Sequence, residues 1–179
     1  MNTEIKQGHM HPITQAIQQF VEIFSEIGFS LYNGPEIDTE WKIFDALRVA
    51  KDHPARDAQD TFWLPPSYNR DGEKILPRTH TSNAQIICMN DTSKPLPIRI
   101  ISAGKVFRNE ATDATHEAEF YQFEGLVVDE NISLANLKTT LTTFFQKLLG
   151  DDVELRFRPS FFPFVEPGVE VDIFFKGRW

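Results

Sequence analysis

The sequence Gly104-Lys-Val-Phe-Arg-Asn-Glu110, which continues to Gln122-Phe-Glu-Gly125, places an arginine, several acids and a glutamine on two segments of strand composition. Residues 99–107 and 120–128 are rich in β-branched and aromatic side chains, which predicts two β-strands. The polar residues 109–119 between them lack an apolar period and are interpreted as a long connection. A connection of that length is usually functional or disordered.

Three polar residues on these segments suggest a pocket. Gln122 and Glu124 lie two residues apart and are flanked by aromatic residues, so on a strand both side chains point to the same face. Arg108 follows the first strand, and its guanidinium presents a charged fork that fits phosphate oxygens. An isolated arginine in such a place is more often a surface charge. Together the three residues are the groups needed to hold a phosphate and an amine side by side.

The stretch resembles motif 2 of the class II aminoacyl-tRNA synthetases, and it is most similar to the family of phenylalanyl-tRNA synthetase alpha subunits. The resemblance is carried by Phe107-Arg-Asn-Glu110, Asp113-Ala-Thr-His116 and Gln122-Phe-Glu-Gly125. Further blocks agree in the same order: Gly34-Pro-Glu36, Phe44-Asp-Ala-Leu47, His53-Pro-Ala-Arg-Asp57, Asp60-Thr-Phe-Trp63, Arg78-Thr-His-Thr-Ser82 and Arg158-Pro-Ser-Phe-Phe-Pro-Phe-Val-Glu-Pro-Gly168. Together the blocks cover about residues 8–175, nearly the whole chain.

Apolar residues at helical spacing predict two amphipathic helices, over residues 11–28 and 133–150. Each range ends at a glycine, which is suited to a C-terminal cap. A shorter helix is predicted over residues 39–48, and Ser82 is a candidate N-cap for a helix that follows it.

The remaining segments predict further strands. Residues 153–158 and 169–173 alternate between apolar and polar side chains, which indicates half-buried strands, and residues 29–37 are interpreted as a short strand interrupted at Asn33-Gly-Pro35. Helices mixed with mostly non-crossover strands are typical of the α+β class with an antiparallel sheet. The resemblance implies the same fold, a class II synthetase-like antiparallel β-sheet flanked by helices.

One domain is expected for 179 residues of which 41% are hydrophobic and 25% charged. Residues 1–10 form a polar lead-in, and residues 11–179 correspond to a partial class II aminoacyl-tRNA synthetase catalytic domain. Motifs 1 and 2 are present. Motif 3, a strand and helix with an arginine for the γ-phosphate, would follow Trp179. The predicted sheet is therefore incomplete at the C-terminus.

The resemblance assigns roles to individual residues. Arg108 would be catalytic, because it would hold the α-phosphate of ATP and neutralise charge in the transition state. Glu110 would meet the adenine side of ATP and His116 its phosphates. Pro35 would lie at a subunit interface. The residues implied for the amino acid are Trp63, His80, Ser82, Gln122, Glu124, Phe162, Phe164 and Val165.

Several of these residues also have simpler interpretations. Glu110 would ordinarily face solvent on an acidic loop, an isolated His80 is more often a satisfied histidine in a turn, and Trp63 would equally fit a core. Aromatic stripes are more often core, and the 16 phenylalanines make chance pairs easy. Phe162 and Phe164 would nevertheless place two rings on one face, where a substrate phenyl group packs edge to face.

Composition narrows the function classes. The formal net charge of −8 argues against a chain that binds nucleic acid by itself, because phosphate contacts require clustered Lys and Arg. The single cysteine, Cys88, fits a reducing compartment, and no apolar run approaches the roughly 18 residues that span a bilayer, so a cytoplasmic location is expected. The sequence has no P-loop, dinucleotide fingerprint, zinc spacing or nucleophilic triad. Mg²⁺ bound mainly through ATP phosphates is the implied ion.

The resemblance implies a phenylalanine–tRNA ligase that converts phenylalanine and ATP to phenylalanyl-adenylate and passes the acyl group to tRNA(Phe), with a beta subunit as partner. Without motif 3, we expect weak or absent activity from this chain alone. Two alternatives stay open: a synthetase-like fragment or paralogue that binds an amino acid or a partner subunit without turnover, and a synthetase for another large amino acid. Tyr121 replaces a histidine common in the family, but it is one residue out of phase with Gln122 and Glu124.

Overall fold

The computed structural model describes residues 8–162 and 165–179. Within these residues the α-helices are α1 Pro12–Glu26, α2 Asn83–Asn90 and α3 Leu134–Leu149. The strands are β1 Ser30–Leu31, β2 Ile37–Thr39, β3 Ile75–Pro77, β4 Ile98–Phe107, β5 Glu119–Val128, β6 Glu154–Pro159 and β7 Val169–Phe174. The connections contain one π-helical turn, Trp41–Asp45, and two 3₁₀ turns, Pro54–Arg56 and Pro66–Tyr68.

The two long helices begin and end where the sequence predicts. At the start of α1, the Nδ1 atom of His11 accepts a hydrogen bond of 3.2 Å from the backbone N–H of Ile13. After its end, Gly28 has a φ of 88°, which glycine adopts without strain. Helix α3 starts with a capping box between Ser133 and Asn136, which satisfies backbone N–H groups of the first turn.

Strands β4 and β5 form an antiparallel hairpin that is paired along its whole length, from Ile98 opposite Val128 to Phe107 opposite Glu119. Strand β1 pairs with β4 in parallel, so this three-stranded sheet, in the order β1-β4-β5, is mixed. The pairs β2–β3 and β6–β7 are antiparallel. The predicted α+β class with flanking helices is confirmed, and the predicted antiparallel sheet carries one parallel edge strand.

The hydrophobic core lies between one face of the β4–β5 hairpin and the helices α1 and α3. Ile101 is fully buried there, together with Phe24 of α1 and Phe144 of α3. The ring centroids of Phe24 and Phe144 are 4.7 Å apart, and Phe123 of β5 packs against both rings. Burial of these large apolar side chains fixes the hairpin on the two helices.

The other face of the hairpin is polar, because alternate residues of a strand point to opposite faces. In the register of the two strands, Ser102 lies opposite Glu124 and Gly104 lies opposite Gln122. The segment between β3 and α2 covers this face, and its Thr81 backbone N–H donates to Glu124 at 2.9 Å. The predicted placement of Gln122 and Glu124 on one face is confirmed.

Between α1 and α2 the structure departs from the sequence predictions. Residues 29–37 do not form one strand, because β1 and β2 belong to different sheets. The helix predicted over residues 39–48 is reduced to the turn Trp41–Asp45. The guanidinium of Arg56 binds Glu40 and Asp45, at the two ends of this turn, which holds the turn at that length.

Strands β6 and β7 form a hairpin with cross-strand ion pairs on its exposed side. Arg158 Nε and Arg156 Nε lie 2.6 and 2.9 Å from the same carboxylate oxygen of Asp172. The hydrogen bond from Arg158 is the largest influence that lowers the pKa of Asp172 to about 2. A turn follows β7 at Lys176-Gly177, with φ angles of 51° and 82°.

Candidate active site

A cavity of about 610 Å³ opens beside the end of β4, between the turn Pro54–Arg56 and the segment that joins β3 to α2. Its lining combines an apolar wall with a polar one. Of the residues implied for the substrates, five line it: His80, Ser82, Arg108, Glu110 and Val165. The other lining residues are Phe44, Leu47, Val49, His53, Pro54, Ala55, Asp60, Thr79 and Gln85.

Arg108 is held at its inner end and offers its outer end to the cavity. Its Nε donates a hydrogen bond of 3.1 Å to the carbonyl oxygen of Thr79, and its guanidinium carbon lies 4.9 Å from the ring centroid of Phe120. Neither terminal nitrogen has a hydrogen-bond partner within residues 8–162 and 165–179, and the nearest carboxylate, Glu110, lies 3.9 Å from Nη1. These two nitrogens can therefore donate to an anion that enters the cavity.

The connection between β4 and β5 places Glu110 and His116, the other two residues implied for ATP, in different surroundings. Glu110 lines the cavity close to Arg108. His116 lies on an exposed turn outside the lining, with its Nδ1 2.9 Å from Asp113 Oδ1. The hydrogen bond and the charge of Asp113 raise the pKa of the His116 imidazole above its ordinary value.

The Glu124 carboxylate joins β5 to the start of α2. It accepts hydrogen bonds from the backbone N–H of Thr81 at 2.9 Å, from Ser82 Oγ at 2.5 Å and from Gln85 Nε2 at 3.0 Å. A carboxylate offers about four acceptor positions, so most of its capacity is used within the chain. Glu124 therefore supports the cavity wall from behind and places Ser82 and Gln85 in it.

Ser82 does not cap α2 in the way that the sequence predicts. Its backbone is already helical, with φ −66° and ψ −15°, and its side chain makes no capping hydrogen bond. The hydroxyl instead donates a charge-assisted hydrogen bond to Glu124, and its oxygen accepts from no backbone N–H of the first turn. His80 lies in the turn before α2.

Two buried polar atoms near this wall have no partner among the described residues. They are Nδ1 of His80 and Oε1 of Gln122, which lies behind the cavity and outside its lining. Buried polar atoms usually have a partner, so such orphans mark places for a ligand or an ordered water. The amide oxygen of Gln122 is an acceptor of the kind that an ammonium group requires.

Burial lowers the pKa of His80 below its ordinary value, and the opposing charge of Glu124 does not cancel this effect. The imidazole is therefore neutral at pH 7. It packs against Phe44, with ring centroids 6.4 Å apart in an edge-to-face arrangement. A neutral imidazole can donate from one nitrogen and accept at the other, which suits a substrate with both donors and acceptors.

This shift predicts a pH dependence of folding. As the pH falls through about 6.5, the unfolded chain takes up a proton that folded His80 does not, so the free energy of unfolding falls by up to about 1.4 kcal/mol per pH unit. The His80→Gln variant should have a shallower slope in urea denaturation between about pH 7.5 and 5.5. His116→Gln is the control with opposite sign, since its pKa is raised, and it should not flatten the slope. Equal slopes for wild type and His80→Gln would contradict the prediction.

The remaining predicted residues lie away from the cavity or outside the described chain. The Nε1 of Trp63 donates to the Arg56 carbonyl oxygen at 3.0 Å, and the Trp63 ring packs against the buried cluster of Ile43, Phe44, Val49 and Leu76. Phe162 pairs with Val165 in a short bridge but does not line the cavity. Phe164 lies outside the described residues. Pro35 is exposed, as an interface residue requires, and its carbonyl oxygen accepts from Asn83.

Sequence reasoning missed Thr79 and Gln85, which position or line the site. Gln85 follows Ser82 by three residues, so on a helix both lie on one face, and this spacing was the available signal. Thr79 acts through its backbone carbonyl, for which the residue type gives no signal.

Within the described residues, no group of three or more His, Cys, Asp or Glu side chains is arranged to hold a metal ion. None of the helices in that part of the chain is both long enough and apolar enough to cross a membrane.

Comparison with known proteins places this geometry in a family. The profile of the family described as "tRNA synthetases class II core domain (F)" matches residues 1–179. The chain is similar to the phenylalanine–tRNA ligase alpha subunits of Rhodopirellula baltica, at 48% identity over 96% of this chain, and Thermosynechococcus vestitus, at 49% identity over 97%. It spans about half the length of these relatives, 52% and 48% respectively.

Solved structures agree on the fold. A pyrrolysyl-tRNA synthetase from Desulfitobacterium hafniense matches with a TM-score of 0.68 and 19% identity, over 92% of this chain and 56% of that protein. The chain therefore belongs to the class II tRNA synthetase core domain family. The resemblance to phenylalanyl-tRNA synthetase alpha subunits, and the class II fold that it implies, are confirmed.

Proposed function

We propose that this chain is the amino-acid-activating core of a phenylalanine–tRNA ligase alpha subunit. In the proposed reaction a carboxylate oxygen of phenylalanine attacks the α-phosphorus of ATP, and pyrophosphate leaves. A hydroxyl group of tRNA(Phe) then attacks the carbonyl carbon of the resulting phenylalanyl-adenylate, so that the acyl group passes to the tRNA and AMP leaves. The single observation that carries the proposal is the cavity itself, which has an anchored arginine on one side and a neutral histidine with a serine on the other.

Arg108 supports the phosphate half of this proposal. Attack on the α-phosphate increases negative charge on its oxygens, and a guanidinium held in place beforehand stabilises that charge without reorganisation. The bond from Nε to Thr79 and the contact with Phe120 provide this anchoring. No side-chain nucleophile is needed, because orientation and charge neutralisation provide the catalysis.

The polar face of the β4–β5 hairpin supports the amino-acid half. The unpaired Gln122 oxygen and the negative charge of Glu124 would attract the α-ammonium group, while His80 and Ser82 would fix the amino and carboxylate ends. Phe162, Phe164 and Val165 would surround the phenyl ring, and Val165 already lies at the cavity wall. Trp63 would contribute to binding of the ammonium group from its place against the buried cluster that contains Phe44, with the Trp63 and Phe44 ring centroids 6.1 Å apart.

Residues of the β4–β5 connection would complete the binding site for the nucleotide. Glu110 would meet the adenine side, and His116, whose pKa is raised by the hydrogen bond and charge of Asp113, would approach the phosphates when its turn folds over the cavity. Mg²⁺ would enter with ATP, because phosphate oxygens are its usual ligands in nucleotide sites.

The proposal also includes partners. A beta subunit would complete the enzyme, with Pro35 at a subunit interface, and tRNA(Phe) would dock mostly elsewhere because this chain is acidic, with a net charge of −8. A cytoplasmic location stays a prediction.

Calorimetric titration of the purified chain with a non-hydrolysable phenylalanyl-adenylate analogue tests the proposal. We expect saturable binding that exceeds binding of the tyrosyl analogue by about tenfold to a hundredfold, since an apolar pocket rejects an added hydroxyl only weakly. Equal affinity for both analogues would point to a synthetase for another large amino acid. Absence of binding in a folded sample would contradict the proposal.

The second candidate is a module that binds an amino acid or a partner subunit without turnover. The observation that favours it is the engagement of Glu124 by three donors of the same chain, which leaves little of its capacity for substrate. Pyrophosphate exchange dependent on phenylalanine separates the two candidates. We expect weak or absent exchange by this chain alone, and full exchange when the rest of the enzyme is supplied.

A further inference from the structure

Arg78 is a buried arginine outside the cavity lining that joins three separate segments. Its side chain is among the most buried charged groups, with the residue 2% exposed. Nε donates to the carbonyl oxygen of Lys105 at 2.8 Å, and Nη1 donates to the carbonyl oxygen of Gly34 at 2.9 Å. The main chain of Arg78 adds a bond to Glu36 and one from Phe107, each of 2.8 Å.

The bonding of this guanidinium is unusual because its partners are carbonyl oxygens. Among the described residues it forms no ion pair, and Glu36 and Glu124 act on it only over longer distances. Burial of a cation without a paired carboxylate is unfavourable unless its donors are satisfied. The planar guanidinium holds donors on separate nitrogens at fixed angles toward the two carbonyl groups, a geometry that the single ammonium nitrogen of a lysine does not reproduce.

Gly104 makes room for this arrangement. A Cβ atom at position 104 would overlap Nη2 of Arg78, so the guanidinium lies directly over the backbone of β4. Gly125 on the paired strand differs, because a Cβ atom there would meet its nearest neighbour at an ordinary distance of 3.8 Å. A side chain at 104 would therefore displace the Arg78 guanidinium, whereas one at 125 would fit.

The same segment holds Arg108. The carbonyl oxygen of Arg78 accepts from Phe107 N–H, and the next carbonyl, that of Thr79, accepts from Arg108 Nε at 3.1 Å. The position of the Arg108 guanidinium thus depends on where residues 78 and 79 lie. Their position depends in turn on the bonds from the Arg78 side chain to Lys105 and Gly34.

We propose that Arg78 is a positioning residue for Arg108, anchored on Gly34 and Lys105 and accommodated by Gly104. The proposal rests on the proposed function only in giving Arg108 the α-phosphate as its ligand. The proposal also ties the Gly34-Pro35 turn to the cavity. The Arg78 guanidinium bonds both to Gly34 in that turn and to Lys105 on β4, the strand that leads to Arg108.

Arginine Nε–H signals in ¹H–¹⁵N NMR spectra of the unliganded chain test this directly. Lysine variants of Arg78 and Arg108 assign the two signals. In Gly104→Ala, displacement of the Arg78 guanidinium should shift its signal and increase solvent exchange of the Arg108 Nε–H by about threefold to tenfold, the effect of one weakened hydrogen bond. In the matched variant Gly125→Ala both signals should stay as in wild type.

An Arg78 signal that moves while the Arg108 exchange rate stays the same would overturn the proposal, and so would an Arg78 signal that does not move. If Gly104→Ala fails to fold, Arg78→Lys provides the same comparison, since it keeps the charge and loses the fork. These NMR measurements need no ligand, so their outcome tests the role of Arg78 independently of whether the chain activates phenylalanine. With ligand, the affinity of Gly104→Ala for the adenylate analogue should fall while that for phenylalaninol, which lacks phosphate, stays the same.

Discussion

Replacement of Arg108 with alanine is expected to weaken binding of the phenylalanyl-adenylate analogue by about a hundredfold, the loss of charge-assisted hydrogen bonds to one phosphate. The terminal nitrogens of Arg108 have no hydrogen-bond partner among the described residues, and Glu110 lies 3.9 Å from Nη1, so the variant loses interactions with ligand and few within the fold. Phenylalaninol should bind to the variant as to wild type. Isothermal titration of both ligands measures the difference.

Arg99→Ala is the matched control, because Arg99 lies on β4, the strand that leads to Arg108, and outside the cavity lining, where it pairs with Asp129 at 3.7 Å. Its affinity for the adenylate analogue should equal that of wild type. Arg108→Lys should recover only part of the affinity, since an ammonium lacks the bidentate fork. Equal affinity of wild type and Arg108→Ala would remove Arg108 from the phosphate site.

Replacement of Arg56 with methionine is expected to lower the free energy of unfolding by about 3 kcal/mol, because it leaves two carboxylates without their buried partner. Arg56 lies 2.9 Å from Glu40 and 2.6 Å from Asp45, and it also donates to the Val49 carbonyl oxygen at 2.6 Å. Burial raises the pKa of Asp45, but hydrogen bonds from Lys51 and Arg56 outweigh it and keep that pKa below its ordinary value. Urea denaturation at pH 7 measures the loss.

Lys51→Met is the control for this measurement. Lys51 contacts the same two acids, Glu40 at 3.7 Å and Asp45 at 2.8 Å, but its side chain is 72% exposed. An exposed pair contributes about 0–1 kcal/mol, so the control should unfold close to wild type. A similar loss in both variants would mean that total charge, and not the buried position of Arg56, determines stability.

The parts of the fold that depend on local patterns could be predicted from the sequence. The β4–β5 hairpin, α1 and α3 follow from residue composition, periodicity and caps such as Ser133 and Gly28, which act within a few residues. The common face of Gln122 and Glu124 follows from the strand period alone. These predictions succeeded because neighbouring residues supply the deciding interactions.

Predictions that depend on distant partners were less successful. Ser82 was expected to cap α2, but its side chain bonds to Glu124, which lies 42 residues away in the sequence. The short helix at 39–48 is limited by Arg56, which reaches back 11 and 16 residues to its two acids. No local pattern records such pairings. The site itself was predicted through the family resemblance, which names residues without giving their contacts.

The three bonds to the Glu124 carboxylate have a consequence for attempts to change amino-acid specificity. A library that varies position 82 or position 85 alone removes one of the two side-chain donors to Oε2 of Glu124, and that defect would be misread as lost recognition. Substitutions at 82, 85 and 124 should therefore be strongly epistatic, with double and triple variants departing from the sum of single effects. Under the proposed function, specificity at this wall would be a property of the trio, and it would have to be redesigned as one unit.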